Sequence, residues 1–191
     1  MTTWWWVRHG PTHAKAAIGW TDLPADLSDT SRLDGLKAMV PDDAVCLSSD
    51  LSRARDTLGA IRQARPQLAE DPRLREFNFG TWEGLGFDEI ARRDPDRSRA
   101  YWQEPGDAAP PEGESWNDLS YRVGTVIDAH NGSHRNILAV AHFGVILTAV
   151  ARAGNFDPRA AFRFKVDPLS VTALTWHGDD VWTIHRVNHL P

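Results

Sequence analysis

The chain has 191 residues, 41% of them hydrophobic and 25% charged, an ordinary balance for a globular chain that can bury a core without staples. Its formal net charge of -5 offers no basic face of the kind that nucleic acid or an anionic membrane requires, so any anion site must be a local pocket. The single cysteine, Cys46, excludes an internal disulfide and sits in an apolar run, where it reads as a small buried hydrophobe.

Residues 4–7 read as a short buried strand ending at Arg8-His9-Gly10. Residues 11–30 mix Pro, Gly, Asp and Thr and read as a loop. Residues 31–39 form a weak helix stopped by Pro41, and 44–48 a second buried strand ending in Ser48-Ser49-Asp50. Over 51–64, Leu51, Ala54, Leu58 and Ile61 fall at helical spacing. Residues 72–84 are irregular, and 86–94 predict a short helix closed by Pro95. The segment 104–114, with three prolines and two glycines, is a surface loop. Residues 116–130 give the clearest helix, opened by a capping-box pair, Ser115 and Asp118. An apolar strand at 137–141 leads into His142-Phe143-Gly144 and a helix over 145–153. Residues 171–176 and 181–187 predict a hairpin. Most of the nine tryptophans should sit in the core or in pocket walls.

Strands alternating with helices predict a three-layer α/β/α fold, a mostly parallel central sheet with helices on both faces. We expect one domain over 1–191 with a small loop and helix cap around 72–114. The apolar start, Met1 to Val7, is too short for a signal peptide, and no run reaches membrane-spanning length, so the expected location is cytoplasmic.

Three apolar strands each end in a polar cluster: Arg8-His9-Gly10, then Ser48-Ser49-Asp50 followed by Arg53, then His142-Phe143-Gly144. Ligands of open α/β sheets bind at the carboxyl ends of the strands. If these strands are parallel neighbours, two histidines and two arginines meet at one edge. Arg53 also lies in the first turn of its helix, where the dipole disfavours a cation by roughly 0.3–1 kcal/mol unless an anion is near. Arg55 repeats that feature. The alternative is that both arginines point to solvent.

These segments resemble the histidine phosphatase superfamily, in its phosphoglycerate mutase-like branch. Val7-Arg8-His9-Gly10-Pro11-Thr12 resembles the Arg-His-Gly signature, and Ser49 to Thr57 the second arginine segment. Leu74 to Gly84 resembles the segment carrying the family's acid, Gly113-Glu114-Ser115 with Arg122-Val123 the helix before the last strand, and Ala141-His142-Phe143-Gly144 the second histidine. The matches run in family order from residue 7 to about 150. The resemblance implies that His9 attacks phosphorus, that Arg8, Arg53 and His142 hold the phosphoryl oxygens, and that Glu76 protonates the leaving group and then activates water. His9 must be neutral, with one ring nitrogen's proton held by a backbone carbonyl. Glu83 competes for the acid role, a structural role being the alternative.

The chain departs from its relatives at Pro11, often acidic there, and at Lys15, often asparagine. Lys15 either adds charge beside the phosphate or points to solvent. Phe143 separates the second histidine from its glycine. Trp20, in a substrate-side loop, lines the leaving-group pocket or simply packs. His9 with His13 and His130 with His134 are four apart but lie in no His-Glu-x-x-His motif, so neither catalytic metal nor cofactor is expected. The resemblance implies a phosphatase acting on a small-molecule phosphate monoester. A cofactor-dependent phosphoglycerate mutase and a non-catalytic phosphate or phosphoprotein binder are the alternatives.

Overall fold

A computed structural model describes all residues, Met1–Pro191. Five strands, β1 (Thr2–Arg8), β2 (Val45–Ser48), β3 (Asn136–Ala141), β4 (Val171–Gly178) and β5 (Val181–His189), form one sheet in the order β2-β3-β1-β4-β5. Strands β1, β2 and β3 run parallel, whereas β4 and β5 are antiparallel to their neighbours. The sheet is therefore mixed rather than mostly parallel. The cause lies after β3, where the chain returns to the carboxyl edge of β1. There Leu169 donates its N–H to Arg8 O at 3.0 Å, and Arg8 donates to Ser170 O at 3.3 Å. β4 must then leave from that edge, and its hairpin to β5 follows.

Alternation along the strands sorts the core into two sides. Trp4, Trp6, Ile137, Ala139 and Ala141 face one side, covered by α5 (Trp116–His130) and α6 (Phe143–Gly154). Val7, Cys46, Leu138 and Val140 face the other, covered by α1 (Thr30–Met39) and α2 (Ser52–Ile61). This is the expected three-layer arrangement. All six residues of β3 are buried, as a central strand with helices on both faces requires. α5 carries the predicted capping box, with Ser115 and Asp118 bonded reciprocally.

Between β2 and α5 lie two short 3-10 turns, Pro72–Leu74 and Gly80–Trp82, then α3 (Phe87–Arg93) and α4 (Pro95–Gln103). α4 was not expected. Pro95, read as a stop, closes α3 and also occupies the first turn of α4, where its missing N–H does no harm. A further short helix, α7 (Pro158–Ala161), also begins on a proline. The 104–114 loop packs on the segment before it: Thr81 donates to Pro111 O, and Glu114 to Asn78 O. Gly80 is needed at that junction. Its φ is +52°, and a Cβ would overlap the Pro111 carbonyl. No helix is long and apolar enough to cross a membrane.

Candidate active site

The register of the parallel strands builds the centre of the site. Arg8 of β1 lies opposite Ala141 of β3, so the next residues, His9 and His142, leave neighbouring strands side by side. Their ring centroids are 5.0 Å apart, and His9 N–H donates to Ala141 O at 3.0 Å. β2 lies beyond β3, and the helix that follows delivers Arg53 to the same edge.

Arg53 is 1% exposed. It donates from Nε to His142 Nδ1 at 3.3 Å, from Nη1 to Thr21 O at 2.9 Å and from Nη2 to Gly19 O at 2.6 Å. One turn later, Thr57 donates its hydroxyl to Arg53 O at 2.7 Å and accepts from Gly10 N–H at 3.0 Å. That residue ties α2 to the loop behind His9. Arg55, in contrast, is exposed and pairs with Asp56, so the neighbouring carboxylate, not a ligand, offsets its unfavourable place in the first turn.

The hydrogen bonds fix both histidine tautomers. His9 Nδ1 lies 2.6 Å from Gly10 O, so that nitrogen carries the proton and Nε2 keeps its lone pair. Burial first, then the charge of Arg53, lowers the His9 pKa to about 3, leaving the ring neutral. His142 Nδ1 accepts from Arg53, so its Nε2 carries the hydrogen. That atom is buried without a partner, as is Arg8 Nε. Arg8 is otherwise held by Val166 O, which accepts from Nη1 at 2.6 Å. A buried donor left unpaired costs about 1–3 kcal/mol. Here two such donors belong to residues flanking a neutral imidazole, an arrangement suited to receiving an anion.

Glu76 follows the first 3-10 turn. Its carboxyl accepts from Phe77 N–H at 3.0 Å and from Gly144 N–H at 3.0 and 3.2 Å. Its backbone carbonyl accepts from Trp20 Nε1 at 2.9 Å and Arg122 Nη2 at 2.7 Å. Arg122 also bonds the carbonyls of Arg73 and Arg75 and pairs with Glu114, so one guanidinium holds the whole turn that carries Glu76. Burial pushes the Glu76 carboxyl pKa up, against the Phe77 N–H and the charges of Arg8 and Arg53. Glu76 and Arg8 line a 210 Å³ cavity whose other walls are apolar, among them Phe77, Phe79, Phe87, Trp102, Phe143 and Phe162.

Glu83 lies elsewhere in this network. Its Oε1 accepts from Gly19 N–H at 2.7 Å and Thr21 N–H at 2.9 Å. The loop whose carbonyls bind Arg53 is thus held by Glu83 through its N–H groups. Trp20, at 39% exposed, stacks under the Arg75 guanidinium, 5.0 Å from it, hydrogen-bonds the Glu76 carbonyl and does not line the cavity. Lys15 is exposed and forms no ion pair or hydrogen bond; it does not line the cavity. No group of three or more metal-ligating side chains occurs. The sequence marked the segments that hold Thr57 and Gly144 but gave neither residue a role, and it did not show the aromatic wall; for Thr57 the signal was its spacing of one helical turn from Arg53.

Fold and site together define the class, an α/β protein with two histidines and two arginines gathered at the carboxyl edge of its parallel strands. The chain belongs to the Histidine phosphatase superfamily (branch 1), whose sequence pattern matches residues 4–190. It is 30% identical over 174 residues to the adenosylcobalamin/alpha-ribazole phosphatase of Salmonella typhimurium, covering 85% of each chain. It is 28% identical over 194 residues to a 2,3-bisphosphoglycerate-dependent phosphoglycerate mutase of Gloeobacter violaceus, covering 93% of this chain and 87% of that one. The crystal structure of an alpha-ribazole phosphatase from Shigella flexneri superposes with a TM-score of 0.83 at 25% identity, over 100% of this chain and 98% of that one. The chain also matches mycobacterial proteins at 31% identity over 176 residues, which is 90% of this chain but spans only 46% of their length.

Proposed function

We propose that this chain hydrolyses small-molecule phosphate monoesters through a phosphohistidine on His9. The observation that carries the reading is the free Nε2 lone pair of a neutral His9 between two residues with unpaired buried donors, Arg8 and His142. His9 Nε2 attacks phosphorus while the bond to the leaving oxygen breaks. Protonated Glu76 gives its proton to that oxygen. Arg8, Arg53 and His142 hold the three equatorial oxygens, and positioning with charge stabilisation supplies most of the catalysis. Glu76, now ionised, takes a proton from water, whose oxygen attacks phosphorus as the P–N bond breaks and His9 is restored.

We further propose that residues 72–114 cap a single catalytic domain and that the charge is carried by side chains without a metal. A lone buried cysteine and the absence of disulfides support a cytoplasmic setting. The relatives named as phosphatases support hydrolysis, whereas the mutase relative supports phosphoryl transfer between sugar acids as the second reading.

The test is incubation with an aryl phosphate, with trapping of an acid-labile, base-stable phosphoenzyme. Hydrolysis and the phosphoenzyme should both disappear in His9→Ala. Undiminished turnover in that variant would remove His9 as nucleophile. Mutase activity on phosphoglycerate exceeding hydrolysis would move the assignment to the second reading. Neither hydrolysis nor phosphoenzyme with any monoester would leave a phosphate binder.

A further inference from the structure

Apart from Glu76 and Arg8, the cavity beside them is walled by side chains without charge. Nine of its eleven lining residues are hydrophobic, and Arg8 and Glu76 are the only ionisable ones. Both already have work in the transferred phosphoryl group and the leaving oxygen. No second cation is present for a carboxylate or a further phosphate, since Lys15, the one extra positive charge expected there, does not line it.

The walls come from different parts of the chain. Phe77 and Phe79 flank the acid, Phe143 follows His142, Phe162 follows α7, and Phe87 and Trp102 come from the cap helices α3 and α4. The Phe87 and Trp102 rings meet edge to face at 5.8 Å, and Trp102 stands 6.2 Å from Phe79 and 6.5 Å from Phe162. Phe87 is 54% exposed although it lies within this aromatic set. A large aromatic at a cavity mouth suits contact with a ligand, since burial there removes its apolar surface from water.

We propose that this cavity takes the leaving group of the substrate, and that the group is an uncharged, ring-bearing apolar alcohol. The inference rests on the phosphatase reading and names its substrate class. Orientation follows from the two ionisable lining residues. The leaving oxygen must face Glu76 to be protonated, so its carbon skeleton extends among the rings. Size follows from volume. An apolar cavity of about 150 Å³ holds benzene, so 210 Å³ accommodates one substituted ring or a compact fused pair. Phosphoglycerate is excluded on charge, because its carboxylate would be desolvated among phenyl rings without a partner.

The experiment compares alkyl monoesters, so that leaving-group basicity stays similar. Benzyl and naphthylmethyl phosphate are assayed against methyl phosphate, glycerol phosphate and 3-phosphoglycerate. The expected kcat/KM for the ring-bearing esters exceeds that for the polar ones by about tenfold or more, since a single methylene in an apolar pocket is worth about that much. Phe87→Ala and Trp102→Ala should each lower the benzyl-to-methyl ratio several-fold. Phe87 is largely solvent-exposed, so its variant folds even if the Trp102 variant does not. Hydrolysis with equal or higher kcat/KM for 3-phosphoglycerate or glycerol phosphate overturns the leaving-group assignment and leaves the phosphatase reading intact, as does an unchanged ratio in Phe87→Ala. Absence of hydrolysis of every ester removes both.

Discussion

The backbone N–H of Gly144 donates to both carboxyl oxygens of Glu76, at 3.0 and 3.2 Å. This contact joins the Glu76 carboxyl, the proposed acid, to the first turn of α6, directly after His142. It also explains why the residue is glycine. A Cβ there would lie 2.5 Å from Glu76 Oε1 and 2.5 Å from the Phe77 ring, and both are buried. Gly144→Ala should therefore displace the carboxyl while leaving His9, Arg8 and Arg53 in place. General acid catalysis contributes roughly 10²–10⁴-fold, and a displaced acid forfeits part of it. We expect kcat on alkyl phosphates to fall by about tenfold or more, and on nitrophenyl phosphate, whose leaving group needs little protonation, by much less. Equal losses on the two substrates would show that the glycine serves the fold rather than the acid.

Glu83 and Arg53 grip the segment Gly19–Thr21 from opposite sides, one by its N–H groups and the other by its carbonyls. On this geometry we expect Glu83 to be a positioning residue that acts through the loop on the arginine. Glutamine in its place keeps an oxygen acceptor, whereas alanine removes it. A charged acceptor contributes about 1.5–3 kcal/mol per bond, enough to loosen the loop. Glu83→Ala should lower kcat/KM about tenfold or more, and Glu83→Gln should restore most of the loss. Steady-state kinetics on nitrophenyl phosphate decide it. A glutamine variant as inactive toward alkyl phosphates as Glu76→Gln would instead make Glu83 the acid.

Much of this site was legible in the residues because two simple patterns carry it. Apolar runs that stop abruptly at a polar cluster marked β1, β2 and β3 and placed His9, Arg53 and His142 at one edge. The direction of β4 was not legible, because it depends on where the chain comes back after α6 and not on any local pattern. Pro95 misled for a physical reason, since the residue that ends one helix is well suited to begin another. The aromatic wall was invisible because Phe79, Phe87, Trp102 and Phe162 are far apart in the chain and none has helical or strand periodicity in common. The charge of Lys15 drew attention to a side chain that the fold leaves in solvent.

Burial of neutral histidines makes the protein sensitive to acid. The His9 pKa falls from its ordinary 6.5 to about 3 in the folded chain, so between those values the unfolded chain binds more protons. Its contribution to stability is complete above about pH 6.5 and is lost as pH falls through about 3, in total on the order of 5 kcal/mol. His142, pushed well below its ordinary value by burial and then by His9 and Arg53, acts in the same direction. Glu76 acts in the opposite one, because its raised pKa stabilises the fold at low pH and that stability is lost as pH rises. His9→Gln, which cannot titrate, should therefore show a shallower fall in urea midpoint between pH 7 and pH 4 than the parent. Parallel curves would mean that His9 is protonated in the folded state.

The geometry around Arg53 predicts that no other cation can replace it. Its Nε–H fixes the tautomer of His142, and its two terminal nitrogens hold Thr21 O and Gly19 O, three donors in one rigid plane. A lysine ammonium is a single point of charge without that fork, so it could satisfy one of these acceptors and leave the others. Once the Nδ1 partner is gone, His142 is free to place its proton on either nitrogen, and the Nε2–H donor is no longer assured. Loss of one preorganised donor to a developing charge typically reduces kcat by about 10²–10³. Arg53→Lys should therefore be nearly as impaired as Arg53→Ala, with nitrogen NMR of the His142 ring reporting a mixture of tautomers in both. A lysine variant within threefold of the parent would mean that Arg53 supplies only net charge to the site and that its three fixed donors are dispensable.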